Sequence, residues 1–427
     1  MGSVPLFLPA AGGTEGLLAD ECRGLLGAAA RVEVGRGGVV VNGDEPVAMR
    51  LNLHSRIAQR VLWPLAAGRY RDEGDLYALA RRVRWADWIT PRQTLRVDTS
   101  ARQCPLRSLQ FAALRIKDAV CDALRESHGA RPGVDLRAPD LALLLHLGAE
   151  HATLYVDTSG EPLFKRGWRD AAAAGQAVTG EAPLKETLAA AMLAAAGWQG
   201  RAGDAPLLDP CCGAGTIAIE AAQLACGIAP GLQRRYAFER LAPFADQRAA
   251  WLALQRSARD QAHAPAVPVY AGDVSFRMTD FAARNAARAG VGAAIDFKTA
   301  DALQRLPPAP RGVLMLNPPY GERLSAKGSA VAAREAAPGG EGDFFAALAA
   351  HWKRHYPGWT AWILSPDSRL PARMRLQESR RVPLWNGPIE CRLLRFDLVA
   401  GAHRRPAGAP PPAEPPANGP NGPADRG

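Results

Sequence analysis

Four acidic or amide side chains stand where apolar runs stop. "PLLDP" carries Asp209, "VYAGD" ends in Asp273, "FKTAD" ends in Asp301, and "VLMLNPPY" breaks at Asn317. Acids at successive strand ends share the carboxyl edge of one parallel sheet, the edge where open α/β sheets hold ligands. Gly213 and Gly215 follow the first acid and let the backbone turn tightly, approach a ligand and open a helix with free N–H groups. Asp209 suits a positively charged amino-acid end better than a pyrophosphate. The third glycine of a dinucleotide motif is also missing, because that position is Ala218. Asp273 can accept both hydroxyls of a ribose, and Asp301 can accept from an adenine amino group. One such acid alone would read as a solvated loop residue; three together argue for a site. Pro318 and Pro319 have no N–H to give a ladder, so the strand must end at Asn317.

These residues need a sheet to position them, and the chain from Pro206 supplies one. Strand-like runs alternate with helical ones: "APLLDP", "TIAIEAAQLAC", "PVYAGD", "FAARNAARAG", "IDFKTAD", "GVLMLNPPY", "DFFAALAAHWKRH" and "WTAWILSP". That alternation is the pattern of a doubly wound, mostly parallel sheet. The closing "RVPLWNGPIECRLLRFDLV" reads as two strands about an Asn-Gly turn, an antiparallel hairpin for the sheet edge. A helix is expected from Pro183, with an Ala/Leu run behind it. The N-terminal region reads as smaller mixed α/β pieces. Leu17, Leu18, Cys22, Leu25 and Leu26 have helical spacing, and "RVEVGRGGVVVNG" alternates like a strand pair. "SLQFAALRIKDAVCDALRES" is a second helix, with Phe111, Leu114, Ala119 and Leu124 available for a core face. "LALLLHLGAEHATLYVDTSG" gives two strands about a turn near 148–151.

The 427 residues exceed one ordinary core, so two or three domains are expected. Hydrophobic residues at 48% and charged residues at 22% fit a soluble globular chain. No run approaches the roughly 20 apolar residues of a membrane span. Seven cysteines without a C-x-x-C pair argue against a zinc site and a disulfide framework. A reduced, cytoplasmic protein without metal is therefore expected, with Cys211 and Cys212 as small packing residues. The net charge of +10 favours a polyanionic partner. Arg69, Arg71, Arg81, Arg82 and Arg84 stand near Tyr70, Trp85 and Trp88, a mixture suited to phosphate contact and base stacking. A solvated helix face over a Trp-rich core is the other reading of that stretch, and Asp72, Glu73, Asp75 and Asp87 dilute it.

"DPCCGAGTIAIEAA" and "NPPYGERL" resemble S-adenosylmethionine-dependent methyltransferases of the Rossmann-like class. "LFKRGWRDAAAA", "APLKETLAAAML", "YAFER" and "NGPIECRLLRF" narrow this further. Together they resemble the RNA guanine-N2-methyltransferases with an N-terminal THUMP domain, in the short ribosomal large-subunit form that lacks a second fused methyltransferase. The resemblance runs from about Pro5 to Val399. It implies an α/β fold: a Rossmann-like methyltransferase domain at 183–400, mostly parallel and doubly wound with an antiparallel edge hairpin. Before it would come a small α+β ferredoxin-like piece at 1–50, a THUMP RNA-binding domain at 51–160 and a linker at 161–182. A disordered Pro/Gly-rich tail at 401–427 would follow.

The resemblance also implies S-adenosyl-L-methionine as cofactor and RNA as partner, 23S ribosomal RNA or alternatively transfer RNA, with no membrane and no metal. Asp209, Gly213 and Gly215 match the motif that holds the methionine part, Asp273 the ribose acid and Asp301 the adenine-side acid. Asn317, Pro318, Pro319 and Tyr320 match the catalytic motif. The Asn317 oxygen and the Pro318 carbonyl would accept the two N–H groups of a guanine N2 amine, the prolines would lock the loop, and Tyr320 would stack on the base. Related enzymes use the same four residues on adenine N6 or a glutamine amide. An adenine-N6-methyltransferase on RNA or DNA therefore stays open, as does an RNA-binding assembly factor with a vestigial cofactor fold. Glu322 and Arg323 could brace the loop or touch the base. Two departures stand out. Asp273 lies 273 − 213 = 60 residues past Gly213 where about 20 is usual, the excess falling in an insertion that resembles one the family carries. The start reads "PAAGGTEG", without the family's cysteine and basic residue before Gly-x-Glu.

Overall fold

A computed structural model describes residues 2–169, 184–318 and 341–399. The N-terminal strands are β1 (Val4–Pro9), β2 (Val32–Gly35), β3 (Gly38–Gly43), β4 (Leu62–Arg69), β5 (Thr94–Ala101), β6 (Gly133–Val134), β7 (Leu141–Leu147) and β8 (His151–Asp157). They form one sheet in the order β2-β3-β1-β4-β8-β7-β5-β6. β1 meets β4 at the single pair Phe7↔Leu62, and β4 then runs antiparallel to β8. The two pieces expected before the catalytic half thus share a sheet and one hydrophobic core. Helices α1 (Glu15–Leu26), α2 (Glu45–His54), α3 (Glu73–Arg81) and α4 (Leu109–His128) join that core. Asp44, Asp72 and Ser108 cap the last three by accepting from Val47, Asp75 and Phe111 N–H groups.

Two expectations for this half are corrected. In α4 the buried stripe is Ala112, Ile116, Ala119, Val120 and Leu124, whereas Phe111 is 50% exposed and Leu114 42%. The stripe keeps a helical period from Ala112, and Phe111 is one residue out of phase with it. Tyr70, Trp85 and Trp88 are buried, with Trp88 edge-on to Trp63 at 6.2 Å. Arg71, Arg81 and Arg84 pair with Asp75, Glu126 and Asp87. The stretch is a Trp-rich core under a surface of mostly paired arginines, Arg82 being exposed without an ion pair among the described residues, so its rings are not available to stack on bases.

The second sheet contains β9 (Leu207–Asp209), β10 (Val269–Asp273), β11 (Ile295–Thr299), β12 (Val313–Leu316), β13 (Thr360–Ser365), β14 (Arg380–Asn386) and β15 (Ile389–Asp397). Its order is β11-β10-β9-β12-β13-β15-β14. The first five strands are mutually parallel, and β15 and β14 form the antiparallel edge hairpin about Gly387. The period-2 pleat sends neighbouring residues to opposite cores. Leu207, Met315 and Trp362 face α5 (Glu186–Ala195), α6 (Thr216–Ala225) and α8 (Phe276–Arg288). Leu208, Leu314 and Ile363 face Leu348, Ala349 and Trp352 of α9 (Glu341–His355) and Met374 of α10 (Leu370–Met374). Strands buried on both faces explain why these runs read as continuously apolar. Pro319, Tyr320, Glu322, Arg323, most of the expected linker and the expected C-terminal tail lie outside the described residues.

The insertion between α6 and β10 has a structural role. It carries α7 (Arg248–Asp260), and Tyr236, Phe238, Phe244 and Trp251 sink into the core of the N-terminal sheet. Phe244 lies edge-on to Trp63 at 5.8 Å, the Tyr236 hydroxyl donates to the Asn52 carbonyl at 3.0 Å, and Phe238 N–H donates to the Thr158 carbonyl at 3.0 Å. The wide gap between Gly213 and Asp273 is therefore filled by a wedge that docks one half of the protein on the other.

Candidate active site at the carboxyl edge of the second sheet

β9 is the central strand: chain order runs outward through β10 and β11 on one side and β12 and β13 on the other. This is the switch point of a doubly wound sheet, where the connections diverge and leave a crevice. Asp209 ends β9 at the mouth of that crevice and is 1% exposed. Its carboxylate accepts from Cys211 N–H at 3.2 Å. Burial pushes its pKa up to about 8; the Cys211 N–H group opposes the rise, Asp273 adds to it and Arg305 opposes it. A carboxyl so placed gains most from a cationic partner.

The turn after β9 is built for close approach. Gly213 and Gly215 have φ of 51° and 83°, in the left-handed region. A Cβ on Gly215 would press on the Ala282 Cβ at 3.1 Å, whereas a Cβ on Gly213 would meet nothing within 4 Å. Gly215 caps α6 without a side-chain hydrogen bond. At the first residue of that helix, Thr216 Oγ1 accepts from Arg169 Nη2 at 2.8 Å, and Arg169 also pairs with buried Glu186.

Asp273 ends β10 and ties the turn down. Its Oδ2 accepts from Gly213 N–H at 3.1 Å and its Oδ1 from Ser275 N–H at 3.0 Å. Burial raises its pKa, against the pull of these two donors. Two carboxylate oxygens offer about four lone-pair sites, so about two remain for a ligand. Asp301, two residues beyond β11, accepts from Leu303 N–H at 3.0 Å. Burial holds the Cys211 thiol well above its ordinary pKa, and the charges of Asp209, Asp273 and Asp301 all add to the rise. A thiol held protonated in this way is poorly suited to be a thiolate nucleophile. Cys212 is buried as expected, while Cys211 is only partly so.

Asn317 follows β12 directly, and Pro318 is buried. The Asn317 Oδ1 is buried and finds no hydrogen-bond partner among the described residues. A buried acceptor without a donor costs about 1–3 kcal/mol, so it marks a place where a donor is wanted.

Some supporting residues escaped sequence reasoning. Asn285 of α8 donates to the Ala214 carbonyl at 2.9 Å and steadies the glycine turn. Arg305, 6% exposed, donates to the Ala271 carbonyl at 2.8 Å. Glu220 of α6, wholly buried, accepts from Arg166 Nε at 3.0 Å and Arg56 Nη1 at 3.2 Å. The glycine-turn helix is thereby keyed to the N-terminal half through Arg56. A glutamate inside the otherwise apolar α6 is the signal that could have found Glu220, whereas Asn285 stands among the polar residues of α8 and carried no such signal. Among the described residues no cluster could hold a metal ion, and no helix is long and apolar enough to cross a membrane.

A crevice at the switch point of a parallel sheet, a glycine turn, strand-end acids and an Asn-Pro end to β12 define a Rossmann-like methyltransferase class. Residues 174–395 match the family described as "RMKL-like, methyltransferase domain", residues 70–157 the THUMP domain and residues 5–62 the RlmL ferredoxin-like domain. The chain belongs to this RMKL-like methyltransferase family. It is 33% identical over 395 residues to the "Putative RNA methyltransferase slr0064" of Synechocystis sp., covering 92% of this chain and 97% of that one. It is 38% identical over 410 residues to the ribosomal RNA large subunit methyltransferase K/L of Syntrophotalea carbinolica, covering 93% of this chain. The match takes in only 54% of that relative, about half its length. The fold also matches the "Crystal structure of SMU.472, a putative methyltransferase complexed with SAH", at 24% identity and a TM-score of 0.79, over 95% of this chain and 100% of that one.

Proposed function

We propose that this chain methylates the exocyclic N2 amine of a guanine in ribosomal RNA, using S-adenosyl-L-methionine. The observation that carries the reading is the buried, unpartnered Asn317 oxygen at the end of β12, beside a crevice with Asp209 at its mouth. The K/L relative, named for the large-subunit ribosomal RNA, supports the substrate class. The THUMP match supports RNA as partner, with transfer RNA as the alternative. The cytoplasm is the compartment this substrate implies.

The residues present fit the cofactor. Asp209 faces the ammonium of its amino-acid end, and the open side of Gly213 with the N-terminus of α6 takes the rest of that end. Asp273 accepts from the ribose hydroxyls and Asp301 from the adenine amine. When bound, S-adenosylmethionine supplies an electrophilic sulfonium methyl. Asn317 Oδ1 and the Pro318 carbonyl accept the two N–H groups of the target amine. They orient its weakly nucleophilic nitrogen and stabilise the positive charge that grows on it. Pro318, whose ring fixes its own backbone torsion, restricts the chain that carries these acceptors before substrate arrives. Tyr320 stacks on the flipped base. The surplus proton leaves the nitrogen after methyl transfer, so no strong base is required.

The test is mass mapping of RNA treated with the purified protein and labelled cofactor. N2-methylguanosine in 23S ribosomal RNA is expected. N6-methyladenosine would move the same chemistry to another amine, and product confined to transfer RNA would change the substrate.

A further inference from the structure

If RNA is the substrate, it must be held somewhere, and in the arginine-rich stretch 69–88 the rings are buried and all the arginines but Arg82 are in ion pairs. A different surface of the N-terminal half has the required chemistry. From Thr99 to Lys117 the chain carries Arg102, Arg107, Arg115 and Lys117; Arg115 and Lys117 pair with Asp118 just beyond, which leaves Arg102 and Arg107. Arg102 and Arg107 are exposed, and neither guanidinium makes an ion pair among the described residues. The loop that carries them is anchored: Arg102 N–H donates to the Leu147 carbonyl at 2.8 Å, and the Tyr70 hydroxyl reaches Cys104 Sγ at 3.3 Å. Gln103 takes a left-handed φ of 55° within it. Ser108 then caps α4, and the helix opens with three apolar side chains turned to solvent, Leu109 at 37%, Phe111 at 50% and Leu114 at 42% exposure. Phe111 and Leu114 are one turn apart, so they form a strip beside the two free arginines.

We propose that this surface, the loop at 101–108 with the first turn of α4, docks an unpaired RNA segment. Phe111 stacks on a base, Leu109 and Leu114 flank it, and Arg102 and Arg107 hold neighbouring phosphates. The charge decides the occupant. An apolar strip alone would suit a protein partner, but exposed guanidiniums at Arg102 and Arg107 that form no ion pair among the described residues complement a polyanion. An exposed ring accepts any unpaired base, because every base has a π-face. The proposal rests on the RNA reading above and names the surface that reading requires.

The full-length chain is compared with Phe111→Ala and with the double variant Arg102→Gln/Arg107→Gln. The probes are a mixed-sequence single-stranded RNA and the same sequence as a duplex, and cofactor affinity serves as the control for folding. Phe111→Ala should weaken single-strand binding roughly five- to a hundredfold. The double variant should flatten the slope of log affinity against log salt by about 1.4, at about 0.7 per phosphate contact on a single strand. Cofactor affinity should not move in either variant. Wild-type affinity and salt slope in both variants, while the wild-type chain still binds and methylates RNA, would overturn this surface alone and leave the strip to a protein partner. Tighter binding of the duplex, lost equally in the variants, would overturn the unpaired segment. A wild-type chain that binds no RNA would overturn the underlying reading and this surface with it.

Discussion

Cofactor affinity should depend steeply on pH because of Asp209. The free carboxyl has its pKa pushed up to about 8 by burial first, with Asp273 adding to the rise. Its ionised form is the one that attracts the ammonium of the cofactor. Below pH 8 binding must therefore expel a proton, and affinity should climb by up to about tenfold per pH unit. At pH 6 about one carboxyl in a hundred is ionised, and because the ligand ammonium titrates in the same range the maximum has only about a fifth of the pairs doubly charged, so affinity should be roughly twentyfold below that maximum, about 1.8 kcal/mol. Above pH 8 the ligand's own α-amino group, with an ordinary pKa of about 7.7–8.0, loses its charge. The profile should then turn over and form a bell near pH 8. The same raised pKa has a consequence for the free protein. The folded state holds a proton that the unfolded chain releases near pH 4, so this group's contribution to stability falls as pH rises from about 4 through 8. Calorimetric titration in two buffers of different ionisation enthalpy, at pH 6.5, should show nearly one proton released per cofactor bound. Asp209→Asn should abolish that release and the rising limb. A flat profile with no proton release in the unmodified protein would refute the assignment of Asp209 to the ammonium.

Other outcomes follow from the same contacts. Glu220→Ala leaves Arg56 and Arg166 buried without their carboxylate, and losing one partner of a buried pair costs about 3–5 kcal/mol; urea unfolding of the full chain should register that loss, and a change below about 1 kcal/mol would show the cluster to be dispensable. Asp273→Ala removes a charged acceptor worth roughly 1.5–3 kcal/mol, so cofactor affinity measured by calorimetry should fall about tenfold or more; unchanged affinity would take Asp273 out of the site. A chain beginning at Pro162 strips the cover from Tyr236, Phe238, Phe244 and Trp251, so it should aggregate or bind a hydrophobic dye where the full chain does not. A soluble, cooperatively folding product would mean that the insertion does not depend on the N-terminal half.

The catalytic sheet was legible because each local signal agreed with the next. Strands buried on both faces show unbroken apolar runs, and the glycine turn and the Asn-Gly hairpin are short-range devices. Asp209 and Asp273 were legible as strand-end acids for the same reason, since the last residue of a parallel strand has few places to go, whereas Asp301 lies two residues beyond β11. The N-terminal half was harder to read. Arginine beside tryptophan looks the same whether the ring stacks on a base or packs under a helix, and only tertiary burial separates Trp85 from Phe111. Of the face expected for α4, Ala119 and Leu124 are buried, but Phe111 and Leu114 fall outside the stripe that starts at Ala112 and Ile116. The role of the insertion was hidden because its partners, Asn52, Trp63 and Thr158, are far away in sequence. The same distance conceals the pairing of Arg56 with Glu220.

The central claim is that the end of β12 holds an exocyclic amine, and Asn317→Ala tests it most directly. The variant deletes the buried oxygen that lacks a donor but leaves Asp209, Asp273 and the glycine turn in place. Single-turnover methylation of 23S ribosomal RNA with saturating cofactor should slow on the order of a hundredfold, the usual cost of one preorganised group of this kind. Cofactor affinity in the same preparation should stay constant. A near-normal methylation rate in Asn317→Ala would contradict the account, because the amine would then be held by something other than this loop.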